Sequence, residues 1–147
     1  PYNLMCPDKN GKDWGDEGFA IDSDKPEEGA KTYNICVTGC VATAMAQMMY
    51  YWQYPTTCPA LDGYETWSYK WSMKALPATT FDWKAMKESY NGNERDASAT
   101  AIATLLRYCG QAVNMDYDME GSQASLYPSI LVDKFGYSKN IRYLLFE

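Results

Sequence analysis

The stretch Thr38-Gly39-Cys40-Val41-Ala42-Thr43-Ala44-Met45-Ala46-Gln47-Met48-Met49-Tyr50-Tyr51-Trp52-Gln53-Tyr54-Pro55 decides how this chain is read. Val41, Met45, Met48, Met49 and Trp52 recur at helical steps, so they share one face of a helix. Thr38 is placed to cap that helix and Pro55 to stop it. Ala42, Ala44 and Ala46 fill other faces, and nothing between Val41 and Tyr54 is charged. A helix apolar nearly all round is a buried one, so this segment is expected to run through the middle of the domain.

Cys40 falls in the first turn of that helix. First-turn N–H groups have no intrahelical partner, and the helix dipole places roughly half a positive charge there. A thiolate at this point is stabilised. The same N–H groups can donate to an oxygen that turns negative when a carbonyl is attacked. Nucleophile and half an oxyanion hole would thus come from one turn of backbone, and Gly39 keeps a side chain away from the sulfur. The bland alternative is that Cys40 is a small core residue of an Ala-rich helix. Thr43 and Gln47 lie further along; Gln47, two turns deeper, reads as a packing or hydrogen-bonding residue.

The flanking sequence is less regular. Residues 1–37 mix charged residues, Gly and Pro with Trp14, Phe19, Ile21, Tyr33 and Ile35, which reads as an irregular surface segment. Tyr64, Trp67, Tyr69 and Trp71 alternate in part, suggesting short extended pieces over 55–80. Asp82 can cap a short helix carrying Trp83, Met86 and Tyr90, ended by Asn91-Gly92. A longer helix is expected from about Asp96 to Cys109, with Ala101, Ile102, Leu105 and Leu106 on its inner face and Gly110 as its C-cap. Ala112 to Met115 reads as a strand. A fourth helix carries Leu126, Ile130, Leu131 and Phe135 and stops at Gly136. Ile141, Tyr143 and Leu145 alternate as the start of a strand that lacks its sheet.

Composition narrows the chemistry. The 147 residues suit one domain, and a 46% hydrophobic content is enough for a core. A net charge of −6 argues against nucleic-acid binding, and no apolar run approaches the roughly 18 residues of a membrane helix. The chain contains no histidine at all. No Ser-His-Asp triad, Cys-His dyad or His-ligated metal site can therefore be completed within it. Five cysteines, at 6, 36, 40, 58 and 109, cannot all pair with one another, and no spacing suggests zinc. Cys36 and Cys40 leave a thiol redox reading open.

The run from Thr38 to Met49, continued by Tyr54-Pro55, resembles the nucleophile helix of the streptopain family of bacterial cysteine peptidases, relatives of papain. The similarity continues in order along the chain, through Pro1-Tyr2-Asn3-Leu4, Phe81-Asp82-Trp83, Val113-Asn114-Met115-Asp116-Tyr117, Gly121-Ser122 and Phe135-Gly136-Tyr137-Ser138. It implies an α+β fold, the helical lobe of a papain-like peptidase with most of the sheet lobe missing. It also implies one incomplete domain over 1–147: surface segment 1–37, helical lobe 38–136 and the start of the sheet lobe at 137–147. Cys40 would be the nucleophile, its own backbone N–H an oxyanion donor, and no cofactor or metal is expected. The general-base histidine would lie in a C-terminal part of the same precursor, outside this chain, whose two ends look cut. The substrate would be an extended polypeptide, and the protein would be secreted or held at the cell surface and made as a zymogen. Two alternatives remain: a non-catalytic peptidase-like binding module or pseudoenzyme, and the redox protein using Cys36 and Cys40.

Overall fold

The computed structural model describes residues 2–7, 10–11, 36–91, 94, 96–126 and 128–137. Of the expected irregular segment over 1–37 only residues 2–7, 10–11 and 36–37 are described, and the final strand of Ile141, Tyr143 and Leu145 lies outside the described residues. Helix α1 spans Cys40–Trp52, followed by four short strands, β1 (Thr57–Cys58), β2 (Tyr64–Glu65), β3 (Ser72–Met73) and β4 (Thr79–Thr80). Helices α2 (Ala97–Ala112) and α3 (Pro128–Phe135) complete the described elements. Among the described residues no helix is long and apolar enough to cross a membrane.

Helix α1 buries Ala42, Met45, Ala46 and Met49, one side only. Small alanines let it lie close to α2, where Leu105 and Cys109 are fully buried and the Cys109 thiol meets the Met49 sulfur at 3.6 Å. Burial all round, expected from the lack of charge, is not what forms. Cys40, Thr43, Ala44, Gln47 and Tyr51 make an exposed stripe, and Trp52 beside it is 66% exposed. The helix ends as expected before Pro55, with Gln53 left-handed (φ 48°) and its N–H donating to the Tyr50 carbonyl, 3.2 Å away.

The four strands are one hairpin. β1 pairs with β4 (Thr57 opposite Thr80), Leu61 bridges Leu76, and β2 pairs with β3 (Tyr64 opposite Met73), all antiparallel. In each pair the residue numbers add to the same total, so a single register runs the whole length despite the gaps. Cys58, Leu61, Met73 and Leu76 point into the core. The Gln111 side-chain amide ties the hairpin to α2 by donating to the Asp62 and Lys74 carbonyls at 2.8 and 3.0 Å. Gln111 is itself held by buried Arg107, whose Nη1 donates to its Oε1 at 2.9 Å.

Three expectations change between Asp82 and Met115. The residues after Asp82 form a single turn rather than a helix. Trp83, Met86 and Tyr90 have helical spacing, but two of them are tied elsewhere: the Trp83 indole donates to the Pro55 carbonyl, and Tyr90 Oη donates to the Ser98 carbonyl. Asp96 does cap α2, accepting from the Ser98 and Ala99 N–H groups. The helix then passes through Gly110 to Ala112, so Ala112 is helical and no strand follows. Asn114, left-handed at φ 52°, ends it in a Schellman arrangement: Met115 N–H donates to the Gly110 carbonyl and Asn114 N–H to that of Gln111.

Gly110 has a packing role instead. A Cβ there would lie 2.2 Å from the hydroxyl of Tyr117, which is 1% exposed. In an open helix Gly→Ala gains up to about 1 kcal/mol. Here overpacking of about 1–3 kcal/mol outweighs that gain. Gly110→Ala is expected to lower the melting temperature by a few degrees. Tyr117→Phe removes the clashing atom, so the double variant should be less destabilised than the sum of the two singles. Strictly additive melting shifts would contradict this.

α3 begins with Pro128 and ends at Gly136, left-handed at φ 71°, burying Leu131 and Phe135. Leu126 precedes it rather than belonging to it.

Candidate active site

Cys40 is the first residue of α1, and its side chain is exposed. The N-cap is Gly39, not Thr38. No side chain caps the helix and no acidic residue stands in its first turn, so the positive end of the dipole is left open around Cys40. Thr38 is diverted to the N-terminal segment: its hydroxyl donates to the Tyr2 carbonyl and its N–H to Asn3 Oδ1, both at 2.9 Å. Residues 2–7 are anchored in turn where Leu4 and Met5 pack on Ala99 and Ala103 of α2.

Gly39 adopts φ 91° and ψ 156°, a conformation nearly confined to glycine. A Cβ at Gly39 would stand 2.7 Å from the Ser122 carbonyl oxygen. That approach is fixed by a closed loop whose ends, Asp116 and Gln123, exchange two backbone hydrogen bonds. Within it, buried Ser122 donates through Oγ to the Val37 carbonyl (2.6 Å) and accepts from Asp118 N–H (3.0 Å). Val37 N–H donates to the Asp118 carbonyl at 3.1 Å. The segment leading to Cys40 is thus clasped on one side by residues 2–3 and on the other by 116–123.

Thr43 donates from its hydroxyl to the Gly39 carbonyl at 2.8 Å, reinforcing the first helical turn. Gln47 is exposed on the same stripe as Cys40, rather than packed. The other cysteines sit in different surroundings. Cys6, Cys36, Cys58 and Cys109 are buried, and no disulfide joins Cys36 to Cys40. Burial pushes the Cys58 thiol up to about 11 and raises that of Cys109 as well, which makes both poor nucleophiles. Among the described residues no group of His, Cys, Asp and Glu is arranged to hold a metal ion.

Sequence reading located Cys40 and Gly39 but missed the Ser122 and Asp118 brace and the hydrogen bond by which Asn3 holds Thr38. Their contacts to Val37 and Thr38 span tens of residues and leave no periodic trace. A cavity of about 400 Å³ lined by Tyr54, Pro55, Thr57, Asp133 and Phe135 lies at the other end of α1, which at 13 residues is roughly 20 Å long. It takes no part in the Cys40 site.

Known proteins resemble this arrangement. The model of the peptidase C10 family matches residues 1–146. Streptopain of Streptococcus pyogenes is 28% identical over 155 residues, covering 96% of this chain and 35% of its own length. The chain therefore spans about a third of the curated relatives it matches. The structure of active Prevotella intermedia interpain A, a cysteine protease, superposes with a TM-score of 0.62 at 37% identity over 71% of this chain and 46% of that one. A prointerpain A fragment gives 0.61 at 35% identity, over 71% of this chain and 36% of the fragment.

Proposed function

This chain belongs to the peptidase C10 family, and from that premise we propose that it is the nucleophile-bearing lobe of an exported bacterial cysteine endopeptidase. The observation that carries the reading is an exposed Cys40 at the uncapped N-terminus of α1, with no acid in the first turn. Cys40 Sγ attacks the carbonyl carbon of a peptide bond. The developing oxyanion accepts from the Cys40 N–H, and the C–N bond breaks to leave a thioester. Water then hydrolyses the thioester and frees the thiol.

Acylation needs a group that takes the thiol proton and gives it to the leaving amine, and deacylation needs the same group to take a proton from the attacking water and return it to the departing thiolate. The chain has no histidine, so that group lies in a further part of the precursor. The exposed stripe of Cys40, Thr43, Ala44, Gln47 and Tyr51 is where that part would pack and form the far wall of a cleft. The substrate is an extended polypeptide, and the enzyme is made as a zymogen.

The test is casein hydrolysis by the full-length protein and by residues 1–147 alone. The full-length protein is expected to cleave casein and the isolated chain to show no turnover above background. Equal hydrolysis by the isolated chain would overturn the requirement for an external base. A full-length protein that binds casein without cutting it would favour the non-catalytic binding module.

A further inference from the structure

Helix α1 starts without a capping side chain. A Ser or Asp cap would set an acceptor oxygen over the first-turn N–H groups, beside the place where the oxyanion forms. An uncapped helix end frays, however, and Cys40 is the first residue of this one. Something other than a cap has to hold it.

The held unit is the peptide between Val37 and Thr38. Its carbonyl accepts from Ser122 Oγ at 2.6 Å, and its N–H donates to Asn3 Oδ1 at 2.9 Å. A peptide is planar, so two bonds at its opposite ends fix the orientation of the whole plane. The two side chains come from segments 35 and 85 residues away in sequence. Ser122 is 4% exposed. Its one proton goes to the Val37 carbonyl rather than to that of Asp118, 3.3 Å off, while its oxygen accepts from the Asp118 N–H. Neighbouring groups support the same plane: Val37 N–H donates to the Asp118 carbonyl and the Thr38 hydroxyl to that of Tyr2. Past Gly39, the peptide that carries the Cys40 N–H is held by its carbonyl, which accepts from the Thr43 N–H and hydroxyl at 3.2 and 2.8 Å. Only the Thr38–Gly39 peptide lies between the two held planes.

We infer that Asn3 and Ser122 are positioning residues, whose shared grip on the Val37–Thr38 peptide replaces a helix cap and keeps the Cys40 N–H aimed at the oxyanion. Both act through the backbone of Gly39 and Cys40. The role rests on the proposed function for its reaction, and one arm of its test needs no turnover.

Ser122→Ala, Asn3→Leu, their double variant and Asn3→Asp, which keeps the acceptor oxygen, are made in the full-length protein and assayed below the lowest melting temperature. Each of the first two is expected to lower kcat/KM for a peptide amide about 10- to 100-fold, the cost of a donor misplaced by about 1 Å. Alkylation of Cys40 by iodoacetamide, which develops no oxyanion, should stay within about threefold. Asn3→Asp should recover most of the loss. Because both side chains hold one plane, the double variant should fall only about threefold below the weaker single variant. With isotope-labelled cysteine amides, the Cys40 amide signal should be single in the parent protein and in Asn3→Asp, and broadened or doubled in Ser122→Ala and Asn3→Leu. Losses that multiply in the double variant overturn the role, as do kcat/KM and alkylation falling together or a Cys40 signal unmoved by Ser122→Ala. If the parent protein cleaves no peptide, the catalytic reading fails, and the amide signal still decides whether Asn3 and Ser122 hold the start of α1.

Discussion

Cys40→Ala in the full-length protein is expected to lower kcat/KM for peptide hydrolysis by about 10⁴- to 10⁶-fold, the scale seen when a nucleophile is removed from a protease. The fold should scarcely register the change. Cys40 is exposed at the start of α1 and is not one of the buried core residues. Its replacement should therefore cost within about 0.5 kcal/mol and shift melting by only a degree or two. Alanine at Cys109, fully buried against Met49, should show the reverse pattern: a clear loss of stability with much of the activity kept at low temperature. Rate and melting temperature measured on the two variants separate a reactive thiol from a packed one. Hydrolysis surviving Cys40→Ala within tenfold would contradict the assignment.

Gly39→Ala should damage both properties. A residue with a Cβ at φ 91° costs about 1–3 kcal/mol from the backbone alone. The new methyl would also stand 2.7 Å from the Ser122 carbonyl oxygen, which belongs to backbone held by the 116–123 loop and cannot swing aside. A melting drop of roughly 5–10 °C follows. Relief of the clash pushes the first turn of α1 away from Ser122 and takes the Cys40 N–H with it. Because an oxyanion donor misplaced by about 1 Å loses on the order of 10² in rate, kcat should fall at least that far even well below the melting point. Gly121→Ala is the matched control for stability, since a Cβ there meets nothing within 4 Å. Equal melting shifts at Gly39 and Gly121 would show that the close approach to Ser122 is not what fixes the helix start.

The parts of the fold legible in the sequence are those governed by local rules. α1 was visible because Met45 and Met49 repeat at helical spacing without interruption, and α2 because Asp96 stands immediately before an Ala-rich periodic run. Gly110 misled because a glycine after an apolar stripe has the signature of a C-cap, whereas its lack of a side chain serves Tyr117, seven residues on. Thr38 misled in the same way, since Asn3 and Tyr2 take its hydrogen bonds across some thirty-five residues. The hairpin was only half seen, as two-residue strands separated by irregular stretches give little alternation. At the site, Cys40 was legible because a thiol at a helix start has a local electrostatic meaning. Ser122, Asp116 and Asp118 were not, because their roles exist only once the loop has closed on Val37.

The most direct test of Cys40 as the nucleophile is to catch the covalent intermediate. Full-length protein is mixed with an activated peptide ester, quenched in acid during the first turnover and mapped by peptide mass. The expected result is one acyl group, as a thioester on Cys40, that disappears in Cys40→Ala. An acyl group on any other side chain, or an undiminished burst in that variant, would contradict it.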